Sequence, residues 1–233
     1  MIKGVMFDFS GTLFRVEPTE RWLAAVAAAA GRELTAGELA AGAARLTEYG
    51  ALPGGAEPRT LPPELVEAWG ARDLSADLHR AAYAGLARAA GSPGRELADA
   101  LYDRHMTPEA WQPYPDAGPV LRELRRRGLP VAVVSNIGWD LRPVFRRHGL
   151  DELVDAYLLS YEVGVQKPDP VIFRAACDRL GLAPADVLMV GDHRVADAGA
   201  EALGCPLLLV DHLPVERRPA GLTPLLDLLD LLD

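Results

Sequence analysis

The stretch Asp8-Phe9-Ser10-Gly11-Thr12-Leu13 decides the fold, and it directly follows the apolar run Ile2–Phe7. A short apolar run that ends at a polar cluster is typical of a buried strand in a parallel sheet. Gly11 permits a tight turn and a close approach of backbone to a ligand. The sequence therefore predicts that Asp8 lies at the tip of a first strand, where its carboxylate can attack a substrate or bind a metal.

Further apolar runs and helical patterns alternate along the rest of the chain. The predicted strands are Leu129–Val134, Val187–Val190, Pro206–Val210 and, more weakly, Ala156–Ser160. Pro119–Arg127 and Pro170–Leu180 are predicted helices, each closed by a glycine. This alternation predicts an α/β fold, a doubly wound parallel sheet with helices on both faces. Ligands bind beyond the carboxyl ends of the strands in such sheets.

Residues 15–112 have a different character, because their composition is helical and they contain no convincing strand. Thr19 is expected to cap a helix over Glu20–Ala30, and Leu39, Leu46 and Tyr49 fit a second helix. Further helical patterns follow, up to about Arg104. We therefore expect residues 1–14 and 113–233 to form the α/β core domain, with residues 15–112 inserted as an all-helical domain.

Polar clusters follow the strong strands, and their chemistry is complementary. Ser135-Asn136 offers groups that suit phosphate oxygens, and Lys167 supplies a compact positive charge for a carboxylate or a phosphate. Asp192 and Asp197 add carboxylates, the hard oxygen ligands that suit Mg²⁺. Together with Asp8, these groups indicate phosphoryl transfer, in which a cation and a lysine offset phosphate charge while a carboxylate attacks.

Taken in chain order, the clusters resemble the four motifs of the haloacid dehalogenase superfamily. The matching segments are Asp8-Phe9-Ser10-Gly11-Thr12-Leu13, Ser135-Asn136 after a strand, Lys167-Pro168-Asp169-Pro170, and Gly191-Asp192-His193-Arg194-Val195-Ala196-Asp197. The resemblance covers about residues 1–14 and 114–211. It implies a Rossmann-like core and identifies the inserted helical domain as similar to that family's α-helical cap of the first type, which closes over the substrate.

The resemblance also implies a role for each site residue. Asp8 is expected to form an aspartyl-phosphate, and Lys167 to bridge Asp8 and the phosphate. Mg²⁺ is expected at the side chains of Asp8 and Asp192 and at the backbone carbonyl of Ser10, with Asp197 supporting the metal shell or pairing with Lys167. The expected phosphate-binding residues are Ser10, Gly11, Thr12, Ser135, Asn136 and Lys167.

Ser10 departs from the family pattern, because phosphatases of this superfamily carry a second aspartate there as proton donor and acceptor. Loss of such a group costs about 10²–10⁴ in rate. One interpretation is a phosphatase in which the missing aspartate is compensated by a good leaving group on the substrate or by a histidine, either His193 or His105. A second is a catalytically impaired binding or regulatory protein. A third is a dehalogenase, which also lacks the second aspartate, but such enzymes lack the metal and differ in the fourth motif.

Composition limits the partners. The formal net charge of −9 argues against nucleic acid or acidic lipid as the main partner. The resemblance implies a small phosphorylated metabolite as the substrate. The chain has two cysteines, Cys177 and Cys205, which are expected to be reduced core thiols in a cytoplasmic protein. No signal peptide and no membrane span is expected. A monomer and a homodimer both stay open.

Overall fold

The computed structural model describes residues 1–232, and within them the chain divides into two compact units. The core unit combines Met1–Arg15 with the described residues from Gln112 onward, and the helical unit is Val16–Trp111. The assignment of the inserted residues as a cap domain stays a prediction. No helix within residues 1–232 has the length and apolar character needed to cross a bilayer.

A five-stranded sheet forms the centre of the core unit, and all its strand pairs are parallel. The strands are β1 (Gly4–Phe7), β4 (Val131–Ser135), β5 (Ala156–Leu159), β6 (Val187–Gly191) and β7 (Leu207–Leu209), in the spatial order β5-β4-β1-β6-β7. β1 is central, with Val5 opposite Val131 on one side and Leu188 on the other. The predicted parallel sheet is therefore confirmed, and it carries the carboxyl ends of β1, β4 and β6 side by side.

The helices of the core unit are α6 (Ala117–Arg126), α7 (Arg142–Arg147), α8 (Ser160–Val163), α9 (Pro170–Leu180) and α10 (Pro224–Leu232). α9 has the bounds expected from sequence. Its first turn is capped by Asp169, whose Oδ1 accepts from the backbone N–H of Val171 at 2.9 Å. Gly181 ends the helix with φ 68°, a left-handed conformation that favours glycine. Ile172 and Phe173 of α9 are fully buried against the sheet core.

The helical unit contains α1 (Thr19–Ala29), α2 (Ala36–Glu48), α3 (Val66–Gly70), α4 (Ala76–Ala89) and α5 (Gly94–His105). The expectation that Thr19 caps α1 was wrong. Thr19 is the first helical residue, Pro18 precedes it, and no side chain caps this end. The Thr19 hydroxyl instead accepts from the Thr47 hydroxyl of α2 at 3.2 Å.

Two short strands lie where the chain passes between the units, although the sequence showed no convincing strand in residues 15–112. β2 (Phe14–Val16) and β3 (Trp111–Pro113) form a two-stranded sheet of their own. Strands of three residues contain too little alternation of apolar and polar residues to be visible in a sequence. This small sheet is therefore a correction to the predicted all-helical insertion.

Candidate active site

Asp8 follows β1 and begins a tight loop. Its backbone N–H donates to the carbonyl of Val190 on β6 at 2.9 Å, and the residue is 7% exposed. The loop closes on itself where the N–H of Gly11 donates to the carbonyl of Phe14 at 2.7 Å. Gly11 has φ 91°, a conformation that side-chain-bearing residues rarely adopt. The loop thus fixes Asp8 at the carboxyl end of the central strand.

Lys167 bridges the carboxylates of Asp8 and Asp197. Its Nζ donates to Oδ1 of Asp8 at 2.7 Å and to Oδ1 of Asp197 at 2.6 Å. Burial disfavours the ammonium, but Asp197 and Asp8 more than compensate and raise the pKa of Lys167 above its ordinary value. The two carboxylates therefore favour the charged form of Lys167 beside Asp8.

The backbone of Lys167 is held by Asn136, which follows β4. Oδ1 of Asn136 accepts from the Lys167 N–H at 2.6 Å, and its Nδ2 donates to the Lys167 carbonyl at 2.9 Å. The Asn136 side chain thus positions the lysine, and a phosphate contact from this residue would have to come from its backbone. Ser135 ends β4 beside β1 and is 3% exposed. Its role as a phosphate ligand stays a prediction.

The segment after β6 contributes two carboxylates in different environments. Asp197 is fully buried, and its Oδ2 accepts from the His193 N–H at 2.8 Å. Asp192 accepts from the Thr12 hydroxyl through Oδ1 at 3.2 Å and contacts Nδ1 of His212 through Oδ2. Burial alone would raise the pKa of Asp192, but the His212 contact, Lys167 and Thr12 hold it below its ordinary value.

The carboxylates form a cluster whose donor set fits a divalent cation. One oxygen from each of Asp8, Asp192 and Asp197 lies within 4.8 Å of the others. Burial is the largest influence on Asp8 and raises its pKa; the two other carboxylates add to this and Lys167 opposes it. Three carboxylates face one lysine, so a divalent cation would balance the charge, and oxygen-only ligands suit Mg²⁺.

Ser10 contributes a hydroxyl that has no hydrogen-bond partner among residues 1–232, although its Oγ is buried. The roles of His193 and His105 as substitutes for the missing carboxyl stay a prediction. The Nδ1 of His193 accepts from the N–H groups of Val195 and Ala196 at 3.3 and 3.0 Å, within its own turn. His105 belongs to the helical unit, where burial lowers its pKa to about 3, so that its ring stays neutral near pH 7.

Arg218 is a buried residue of the site region that the sequence interpretation missed. Its Nη1 donates to the carbonyls of Gly11 at 2.6 Å and Asp211 at 3.0 Å, and its Nη2 donates to the carbonyl of Thr12. The guanidinium carbon lies 3.2 Å from the centre of the Tyr114 ring. Arg218 thus ties the loop after Asp8 to a segment more than 190 positions later in the chain.

His212 is the second residue that the sequence interpretation did not place at the site. The spacing of the histidines does not indicate metal ligands, yet Nδ1 of His212 contacts Oδ2 of Asp192. No sequence signal points to His212 or Arg218, since both follow the last motif in a stretch without pattern. Long-range contacts alone bring them to the site.

Comparisons with known proteins find related sequences and related folds. The model of the family described as haloacid dehalogenase-like hydrolase matches residues 2–204. Haloacid dehalogenase-like hydrolase domain-containing protein 3 of Mus musculus is 38% identical over 162 residues, which cover 63% of this chain and 64% of the relative. Phosphoserine phosphatase of Thermus thermophilus is 40% identical over 132 residues, covering 54% of this chain and 51% of the relative.

Among solved structures, L-2-haloacid dehalogenase from Xanthobacter autotrophicus is 26% identical with a TM-score of 0.65. That comparison covers 98% of this chain and 88% of the dehalogenase. The chain spans only 51% to 64% of the lengths of the two curated relatives. The fold is therefore shared with enzymes of two chemistries, one named for phosphate and one for halide release.

Proposed function

Because the chain belongs to the haloacid dehalogenase-like hydrolase family, we propose that this hydrolase is a magnesium-dependent phosphatase that acts on a small phosphate monoester. The observation that carries the proposal is the buried bridge from Lys167 to both Asp8 and Asp197, beside a third carboxylate at Asp192. This arrangement provides a nucleophile, a fixed positive charge and a cation-binding set in one place.

Each residue of the site has a task in this reaction. A carboxylate oxygen of Asp8 forms a bond to phosphorus while the ester oxygen departs with its electron pair, which leaves an aspartyl-phosphate. Lys167 offsets charge on the phosphoryl oxygens and on Asp8. Ser135 and the backbone after Asp8 bind phosphate oxygens. Water then attacks the phosphorus, the bond between phosphorus and the Asp8 oxygen breaks, and inorganic phosphate and the Asp8 carboxylate result, with a proton released to solvent.

Asp8, Asp192 and the backbone carbonyl of Ser10 would hold Mg²⁺ in this proposal. The cation supplies electrostatic stabilisation of the phosphoryl group. Asp197 is assigned a different task, because its side chain is fully buried and is held between Lys167 and the His193 N–H. It acts by keeping Lys167 in place and charged.

Ser10 limits the substrates that such a site can turn over. A serine hydroxyl does not protonate a departing alkoxide near neutral pH, so esters with acidic leaving groups are favoured. Aryl and acyl phosphates are of this kind, whereas simple alkyl phosphates are not. Because the carboxylate is missing, we expect a phosphatase that hydrolyses phosphates with acidic leaving groups rather than a broad range of phosphate esters.

The alternatives make different predictions. A binding or regulatory protein is supported by Ser10 and would hold phosphate esters without hydrolysing them. A dehalogenase is supported by the similarity to the Xanthobacter autotrophicus enzyme, and would release halide without a metal. The cluster of carboxylates that faces Lys167 favours the phosphatase, because it repels an anionic substrate unless a cation is present.

The test measures phosphate release from aryl, acyl and alkyl phosphates with and without Mg²⁺. We expect release from the activated esters that depends on Mg²⁺ and is lost in Asp8→Asn. Asp178→Asn, which changes an exposed carboxylate on α9, is the matched control and should behave like the wild type. Absence of release from every ester, or release that survives Asp8→Asn, would contradict the proposal. Metal-independent halide release would favour the dehalogenase.

A further inference from the structure

We infer that His212 is a positioning residue for the cation: it holds the carboxylate of Asp192 in place and thereby sets the affinity of the site for divalent metal ions. The inference rests on the proposed magnesium site. It assigns a function to the C-terminal loop, which we define as residues 211–218 and which lies beyond the family match at residues 2–204.

The first observation is that both oxygens of Asp192 are held. Oδ2 contacts Nδ1 of His212, and because an ionised carboxylate only accepts, the proton lies on the His212 nitrogen. Oδ1 accepts from the Thr12 hydroxyl at 3.2 Å. The two contacts fix the plane of the carboxylate. Each oxygen keeps a further lone pair with which it can bind a cation.

The second observation is the space that Gly11 leaves for this pair. A Cβ atom at Gly11 would collide with Oδ2 of Asp192 and with Nδ1 of His212. Any other residue at this position would therefore push the imidazole and the carboxylate apart. Gly11 serves the tight turn after Asp8 and also makes room for the His212–Asp192 contact.

The third observation is that the backbone is anchored on both sides of His212. The carbonyl of Asp211 accepts from Nη1 of Arg218 at 3.0 Å, and the carbonyl of Leu213 accepts from the Tyr114 hydroxyl at 2.6 Å. Arg218 also holds the carbonyl of Gly11 and stacks on the Tyr114 ring. His212 itself is exposed, but the contacts of Arg218 and Tyr114 with its neighbours hold the backbone that carries its imidazole.

This geometry is that of an outer-shell partner of a metal ligand. Ligating carboxylates are themselves hydrogen-bonded, and removal of such a partner typically costs about 10–100-fold in metal affinity. His212 contacts Asp192 on the oxygen opposite to Thr12, so its loss would free the carboxylate to rotate. The cation would then have to order the carboxylate on binding.

Calorimetric titration of the full chain with Mg²⁺, after chelator treatment and without substrate, tests the inference. We expect His212→Ala to weaken binding by about 10–100-fold. His212→Asn places an amide N–H near the position of Nδ1 and should restore most of the affinity. Arg217→Ala, an exposed residue of the same loop, is the control and should bind like the wild type.

The outcomes separate this inference from the function it rests on. Wild-type affinity in His212→Ala would overturn the role of His212 while leaving the magnesium site intact. Failure of His212→Asn to restore binding, with a larger loss for Co²⁺ than for Mg²⁺, would make His212 a direct ligand and overturn the positioning role. A wild type that binds no divalent cation would overturn the magnesium site itself.

A second pair of variants tests the anchor. Arg218→Met removes the donors to Asp211 and Gly11, and we expect it to weaken Mg²⁺ binding in the same direction as His212→Ala. Arg217→Met removes the same charge from the neighbouring exposed position and should leave binding unchanged. Equal affinities for the two variants, with both folded by circular dichroism, would show that the anchor does not act on the cation site.

Discussion

Lys167 donates from Nζ to Oδ1 of Asp197 across 2.6 Å, and both side chains are almost completely removed from solvent. The same nitrogen reaches Asp8 at 2.7 Å. Asp197 therefore acts as a fixed counter-ion for Lys167. It favours the charged ammonium and holds it beside Asp8. We therefore expect Asp197 to be important for stability as well as for the proposed reaction.

Asp197→Ala is expected to destabilise the protein by about 3 kcal/mol, because it leaves the buried ammonium of Lys167 with Asp8 as its one remaining carboxylate partner and the His193 N–H without its acceptor. Urea unfolding measures the change. Asp197→Asn keeps an acceptor oxygen and should lose less. If Asp197→Ala unfolded at the same urea concentration as the wild type, the ion pair would contribute nothing to stability.

Ser10→Asp is expected to raise turnover of an unactivated alkyl phosphate by up to about 10²–10⁴-fold, since it restores a carboxyl that can exchange a proton with the leaving group. Initial rates of phosphate release measure the effect. Ser10→Asn is the control: its amide has nearly the size of the aspartate side chain but cannot exchange the proton, so it should not show this increase. Unchanged or lower turnover in Ser10→Asp would mean that another group already transfers the proton.

Asp116 connects the start of α6 to the start of α10, and its loss should weaken the core unit. Its Oδ2 accepts from the N–H groups of Leu222 at 2.6 Å and Thr223 at 2.9 Å. Asp116→Ala leaves these donors without a partner, so we expect a loss of about 1–3 kcal/mol in the free energy of unfolding. The free energy of unfolding of Asp116→Asn, which keeps an acceptor, should lie between those of the wild type and Asp116→Ala. Chemical denaturation that does not distinguish Asp116→Ala from the wild type would contradict this account.

The helical unit should lose stability in mild acid. Burial is the largest influence on both His79 and His105; it lowers the pKa of each, in His105 to about 3. Both rings bind a proton near pH 6.5 once unfolded but not while folded. Stability is therefore fully present above pH 6.5 and falls as the pH drops towards 3, by up to about 1.4 kcal/mol per pH unit for each histidine.

His105→Gln tests this pH dependence, because glutamine is similar in polarity and does not titrate. Urea unfolding at pH 7, 6 and 5 should show a shallower loss of stability in His105→Gln than in the wild type. The comparison is between slopes, so a general loss of stability in the variant does not obscure it. Parallel slopes would show that His105 takes up its proton in the folded state.

Much of the core unit could be predicted from the sequence, because its signals are local. The buried strand β1 is an uninterrupted apolar run, and α9 has a capping residue at one end and a glycine at the other. Since parallel strands bring their carboxyl ends to one edge, the polar groups after β1, β4 and β6 had to be near each other. The proximity of Asp8 to Asp192 follows from that topology, whereas Lys167 is held there by the side chain of Asn136 after β4.

The parts that escaped prediction depend on contacts between distant residues or on very short elements. Thr19 has the side chain of a helix cap, but the preceding proline takes the position and the hydroxyl pairs with Thr47. Arg217 and Arg218 are identical neighbours, of which one is exposed and the other buried. Nothing local distinguishes them. Only the carbonyls of Gly11 and Thr12, which lie far away in the chain, decide which arginine turns inward.

The central position of β1 also bears on how the protein is made. Val5 pairs with Val131 and Leu188, so both neighbours of β1 leave the ribosome long after it does. Until these neighbours are synthesised, an apolar strand with two unpaired edges is prone to non-native association. The contacts of the helical unit span shorter stretches of chain, which favours rapid folding. We therefore expect the inserted helices to fold during synthesis before β1, the strand that precedes Asp8, pairs with its neighbours.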